Sequence, residues 1–228
     1  VEDVYNSFSL GIGKDGLAGY PLIDVYLTGK ELKLAAEVDA SVSDFMTTAR
    51  LYCSGLNFTF NPHRMILNKV TDCYLTREDG ERIEIQDDQL YRVVTDLYTG
   101  QMLGSVMEMS YGLLKIEPKD KDGNPIENLE NQAIMEGNKE LKAWDAIARY
   151  MKSFDDTDGN GISNVPEYYE TTHGRKVVDE SRNVIDLVKN PNKFSVMIVG
   201  IVLVLILIII LLVVLIRKLI KKRRRKKK

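Results

Sequence analysis

The residues best suited by type and spacing to chemistry form one short run, DTDGNGISNVPE, at positions 156–167. Side-chain oxygens recur at its first, third, fifth, ninth and twelfth places, as Asp156, Asp158, Asn160, Asn164 and Glu167. The Ile162 carbonyl takes the seventh place and Gly161 the sharp bend. A hard cation such as Ca²⁺ takes roughly six to eight oxygens, and alternation in a tight loop turns them inward. The spacing predicts a structural Ca²⁺ held by Asp156, Asp158, Asn160, Ile162, Asn164 and Glu167, against the plainer reading of an acidic, solvated turn. Three carboxylates suit extracellular Ca²⁺ levels.

Two details set this loop apart. Ile162 stands one place earlier than the apolar residue of the usual EF-hand loop, and Pro166 is awkward in an exit helix. The run resembles the DxDGDGxxDxxE loops of bacterial surface proteins more than a calcium sensor. Other chemistry is sparse. His63, in a turn-like NPHR, and His173, in a loop, are the only histidines, and GxSxG, HExxH and P-loop patterns do not occur. Zinc hydrolases, metallophosphoesterases and triad enzymes need His clustered with carboxylates or nucleophiles, so catalysis by this chain alone is not expected.

The elements that must position such groups begin at the far end of the chain. Residues 196–216 are an unbroken apolar stretch of 21, matching the roughly 20 that a helix needs to cross a bilayer. Only a helix satisfies its own backbone there. Residues 217–228 contain ten basic side chains and no acidic one, which places the tail in the cytoplasm and the preceding residues outside. The tail is expected to hold anionic lipid headgroups. NPNKFS beside the span lacks a sortase LPxTG pattern, so the helix is expected to stay in place. A cleaved lipid-anchor signal would not end in a basic cluster. The tail carries ten of the 31 Lys and Arg, leaving 21 against 33 Asp and Glu, a net of −12. Such an acidic exterior excludes a nucleic-acid partner.

Cys53 and Cys73 are the only cysteines, and either a cross-strand disulfide or two separate buried thiols fits them. The chain begins at Val1 without a signal-like segment, and an exported domain needs one, so an N-terminally truncated fragment is expected. Along the chain, YPLIDVYLTG alternates as a strand. KELKLAAEVDAS reads as a helix with Leu32 and Ala35 or Ala36 toward the core. LYCSGLNFTF, NKVTDCYLT, RIEI and YRVVTDLY read as further strands, with turns at residues 78–80 and 120–125. Residues 136–154 show a helical stripe of Leu141, Trp144, Ile147 or Ala148, Met151 and Phe154. Strands flanked by helices predict an α+β fold.

YLTGKELKLAAE, SGLNFTFNPHRMILNKVTDCYL and YRVVTDLYTG together resemble the C-terminal domain of the 5'-nucleotidase family, secreted metallophosphoesterases of nucleotide catabolism. The resemblance covers roughly residues 3–115. It implies a mixed sheet with packed helices that binds the substrate, and a separate N-terminal catalytic domain holding two divalent metals. It also implies two aromatic rings sandwiching a base. Tyr98, in YTGQMLG, stands at one such position, though the Gly-Gly-Asp that follows in the family is Met102-Leu103-Gly104 here. Arg50 occupies the other, with Tyr52 as an alternative close by. A core aromatic on a strand remains the alternative for Tyr98, and a non-nucleotide phosphate ester fits the departures.

The expected organisation is a 5'-nucleotidase C-terminal-like domain over 1–135, a helix and Ca²⁺ loop over 136–174, a juxtamembrane linker over 175–194, a span over 195–216 and a cytoplasmic polybasic tail over 217–228. Two readings compete. One is the substrate-recognition domain and anchor of a surface phosphoesterase of a single-membrane bacterium, acting on nucleotides or phosphate esters. The other is a non-catalytic, Ca²⁺-stabilised binding or adhesion module. A signalling receptor is disfavoured, because a 12-residue tail has no room for a folded domain.

Overall fold

A computed structural model describes residues 1–43, 45–47, 50–110 and 112–226, with the side chains of all of these except 108, 109 and 222–226. Residues 227 and 228 of the predicted basic tail therefore lie outside the described residues. The chain opens with α1 (Glu2–Phe8), followed by β1 (Leu22–Thr28) and α2 (Gly29–Val42). The β1 alternation sends Ile23, Val25 and Leu27 into the core. α2 starts where it does because Thr28 and Glu31 form a capping box. The Thr28 amide donates to Glu31 Oε2 at 2.8 Å, and the Glu31 amide donates back to Thr28 Oγ1 at 3.3 Å. Leu32, Ala35 and Ala36 are all buried on α2, as their spacing predicts.

β2 (Leu56–Phe60), β3 (Val70–Thr76), β4 (Arg82–Glu84) and β5 (Leu90–Asp96) come next, then α3 (Leu97–Met109). Two strand expectations run too long. LYCSGLNFTF becomes a strand only at Leu56, because Gly55 adopts a left-handed φ of +85° that ends extension on its N-terminal side. YRVVTDLY stops at Asp96, whose carboxylate caps α3 by accepting from the Thr99 amide at 2.9 Å and from Thr99 Oγ1 at 2.6 Å. Tyr98 therefore stands on a helix, not a strand. The turns at 78–80 and 120–125 form as expected, the second as a bridge between Lys119 and Pro125.

β6 (Met135–Glu136) and β7 (Lys139–Glu140) form a hairpin around Gly137-Asn138, with Gly137 at φ +62°. The helix expected from 136 therefore begins only at Ala143, as α4 (Ala143–Lys152). β8 (Lys176–Val178), α5 (Val184–Val188) and α6 (Lys193–Lys226) complete the order. β1 pairs antiparallel with β5, from Leu22↔Asp96 to Thr28↔Leu90, and a four-stranded sheet runs β4-β3-β2-β8. Residues 193–221 of α6 make a 29-residue helix long and apolar enough to cross a membrane.

Two units divide the chain. The first comprises Val1–Ala36, Leu51–Phe58 and Cys73–Val177, and the second Glu37–Arg50, Thr59–Asp72 and Val178–Lys228. Apolar clusters hold the first: Leu27, Leu32, Ala35 and Ile116 in one, Ile23, Val25 and Leu97 in the other. Two ion-pair groups supplement them. Lys142 Nζ lies 2.8 Å from Asp15 and 2.6 Å from Glu140, and Lys119 Nζ lies 2.6 Å from Glu31.

Polar groups dominate the interior of the second unit. The Glu37 carboxylate accepts from Ser41 Oγ at 2.8 Å and from the Lys69 and Val70 amides at 2.7 and 2.9 Å. The buried Arg64 guanidinium donates to the carbonyls of Asn68, Asp186 and Lys189. Leu67 is held at φ +60°, a costly conformation for a branched residue, by its amide donating to Ser41 Oγ and its carbonyl accepting from Asn192.

Candidate substrate cleft and cation loop

A cleft of about 610 Å³ opens in the first unit between α1, the start of β1, the β5–α3 junction and α4. Aromatic rings shape it: Phe8, Tyr20, Tyr98 and Tyr150 all line its wall. Tyr20 and Tyr98 stack, with ring centroids 5.8 Å apart and planes 29° apart. Each ring has a positional cause. Tyr98 is set by the Asp96 cap that opens α3 one residue before it. Tyr20 lies against Gly11, where a Cβ would come within 2.7 Å of the ring and where φ is +82°. Tyr98 is 41% exposed, so part of the pair remains accessible to a ligand. Asp96 and Thr99, also in the wall, are already committed to each other. The arrangement can bind a flat, weakly polar group by stacking.

The other predicted substrate residues lie elsewhere. Tyr52 is 87% exposed, with Lys176 Nζ 5.2 Å from its ring centroid, and Arg50 is exposed. Neither lines the cleft. Phe8, Tyr20 and Tyr150 were not singled out from the sequence. The available signal was weak: Gly11 and Gly19 near Tyr20, and Tyr150 one place off the apolar stripe of α4.

In the 156–167 loop the side-chain oxygens turn toward the loop's own amides. Asp156 Oδ1 accepts from the Gly159 amide at 2.8 Å and Oδ2 from the Gly161 amide at 2.8 Å. These bonds, the Gly161 amide foremost, hold the Asp156 carboxyl below its ordinary range despite partial desolvation. Asn160 Oδ1 accepts from the Ile162 amide, and Asn164 Oδ1 from the Thr157 amide. Gly159 and Gly161 take left-handed φ of +73° and +84°. Asp158 receives a bond from Asn160 Nδ2 at 2.9 Å, and Glu167 opens a 3₁₀ turn, Glu167–Glu170. Among the described residues, no three Asp, Glu, His or Cys side chains converge into a metal-holding group.

Residues 12–109 match the family described as 5'-nucleotidase, C-terminal domain. A comparison with curated proteins gives no match. Among solved structures, the chain is similar to a 5'-nucleotidase precursor from Thermus thermophilus, at 17% identity and a TM-score of 0.44, covering 72% of this chain and 26% of that one. It is also similar to the NAD nucleotidase NadN of Haemophilus influenzae, at 19% identity and a TM-score of 0.36, covering 52% of this chain and 20% of that one. The chain thus spans about a quarter and a fifth of those proteins. Its fold is α+β, resembling a 5'-nucleotidase C-terminal domain, with one long apolar helix at its C-terminal end.

Proposed function

We propose that this chain is the substrate-recognition portion and membrane anchor of a cell-surface 5'-nucleotidase-type phosphoric ester hydrolase acting on nucleotides or related phosphate esters. The observation that carries the reading is the stacked Tyr20–Tyr98 pair in its cleft, within the segment that matches the family. A base lying on Tyr98 extends that stack, at about 1–3 kcal/mol per base. The phosphate end would then face a separate catalytic domain, whose divalent metals would supply an activated water and stabilise phosphoryl charge. This chain's share is to bind and orient.

Calorimetry with the full chain in nanodiscs tests the reading, using AMP, UDP-glucose and a simple phosphate ester. Tyr98→Ala is expected to weaken AMP binding by about 5- to 150-fold. An unchanged profile across all three ligands would remove Tyr98 from the site. The same test on Tyr52→Ala and Arg50→Ala decides whether those exposed residues take part.

Two further parts belong to the reading. α6 crosses the membrane with residues 1–194 outside and the basic tail inside, supported by its length and by the tail's ten cations. Protease shaving of intact cells is expected to release the outer portion, and survival of that portion would reverse the topology. The 156–167 loop takes a structural Ca²⁺, supported by its oxygen spacing and by the Asp156 turn that preshapes it. EDTA is expected to lower the melting temperature of the parent chain but not of Asp158→Ala. An EDTA-insensitive parent would leave only a solvated turn.

A further inference from the structure

We propose that the groove at the root of α6, together with the exposed edge of α5, seats an acyl chain of the membrane that α6 enters, so that this part of the second unit lies against lipid. The proposal rests on the membrane-spanning reading of α6. The groove has a volume of about 290 Å³ and is walled chiefly by Met65, Leu187, Val188 and Pro191 on one side and by Val196 and Val199 on the other. Val196 and Val199 are also the opening residues of the apolar span. Wherever they meet hydrocarbon, the facing wall meets it at the same depth, because one helical turn advances only about 5 Å.

The surface beside the groove fits that depth. α5 has five residues, and three of them, Val184, Ile185 and Val188, are 72%, 69% and 65% exposed. Apolar side chains so concentrated on one short helix mark a surface that meets another apolar phase. Basic residues flank it. Lys189 and Lys193 are exposed, and Lys193 Nζ sits over the Phe194 ring, 4.7 Å from its centroid, so two cations border the groove where anionic lipid phosphates would lie.

The root does not give way under this contact. Asn192 Oδ1 caps α6, accepting from the Phe194 and Ser195 amides at 3.0 and 3.1 Å, while Asn192 Nδ2 donates to the Leu67 carbonyl. Arg64 binds the carbonyls at the end of α5. One polar group is left over: Ser195 Oγ lines the groove, is buried, and has no hydrogen-bond partner among the described residues.

Tryptophan variants of the full chain, reconstituted in vesicles of phosphatidylcholine brominated on the acyl chain, test the proposal by fluorescence quenching. The parent's single Trp144 provides the background to subtract. Val188→Trp and Ile185→Trp are expected to be quenched, most strongly by bromine near the ester end of the chain. Val204→Trp, in mid-span, is expected to be quenched most by deep bromine. If Val204→Trp is quenched and the two α5 variants are not, the lipid seat is wrong while the span stands. Loss of quenching at all three sites would overturn the spanning reading as well. Emission at Val188→Trp that is blind to bromine but shifts with protein density would assign the groove to a second copy and overturn the proposal.

Discussion

The two units hold themselves together by different means. The first buries Ile23, Val25, Leu27, Leu32 and Ile116 and adds the Lys119–Glu31 and Lys142–Asp15/Glu140 ion pairs to that core. The second buries Glu37, Ser41, Asn61, Arg64 and Asn68, all of them hydrogen-bonded, Asn61 through Nδ2 to the Ser181 carbonyl. An apolar core tolerates a change of shape at modest cost, whereas a buried polar network leaves orphaned donors or acceptors when one member goes. The first unit should therefore weaken by degrees and the second abruptly.

Substitutions that keep volume and remove polarity sharpen this contrast. Glu37→Leu strands the Lys69 and Val70 amides and Ser41 Oγ, and is expected to cost about 4 kcal/mol in urea denaturation of the detergent-solubilised chain. Arg64→Met abandons three carbonyls and is expected to cost about 3 kcal/mol, read as loss of hydrogen-exchange protection over residues 184–195. Leu27→Met, in the apolar unit, should cost less than about 1.5 kcal/mol by the same denaturation. If Leu27→Met proves as damaging as Arg64→Met, the contrast fails.

The smallest effect is one of pH. Burial alone would raise Glu31, but hydrogen bonds from Lys119, Thr28 and the Glu117 amide outweigh it and hold the carboxyl below its ordinary range. The Lys142 hydrogen bond does the same for Asp15. A depressed carboxyl stabilises the fold fully above its unfolded pKa of about 4 and ceases to do so as pH falls through the folded value. Denaturation midpoints of the parent should decline below about pH 4. Lys119→Met should flatten the Glu31 part of that decline, and an unaltered pH curve would separate Glu31 from it.

What could be read from the chain divides along the same line. Periodic apolar spacing made β1 and the buried face of α2 legible, because burial leaves a repeat in sequence, while α6 was legible from an unbroken apolar run. The strand YRVVTDLY was carried past its end and α4 was begun too early, since one capping carboxylate, Asp96, and one turn dipeptide, Gly137-Asn138, outweighed the surrounding pattern. The Arg64 bonds to Asp186 and Lys189 join residues more than a hundred positions apart and leave no local trace. Tyr98 could be singled out from its family position, but its partner Tyr20 could not, because stacking is decided by backbone approach at Gly11.

Ser195, the last buried side chain among the described residues, and Val196, the first of the apolar stretch, are neighbours on one continuous helix. No swivel separates them. With α6 held in a bilayer, the residues around Arg64 would sweep only a narrow cone of directions, and most of their tumbling freedom would be surrendered once, at insertion.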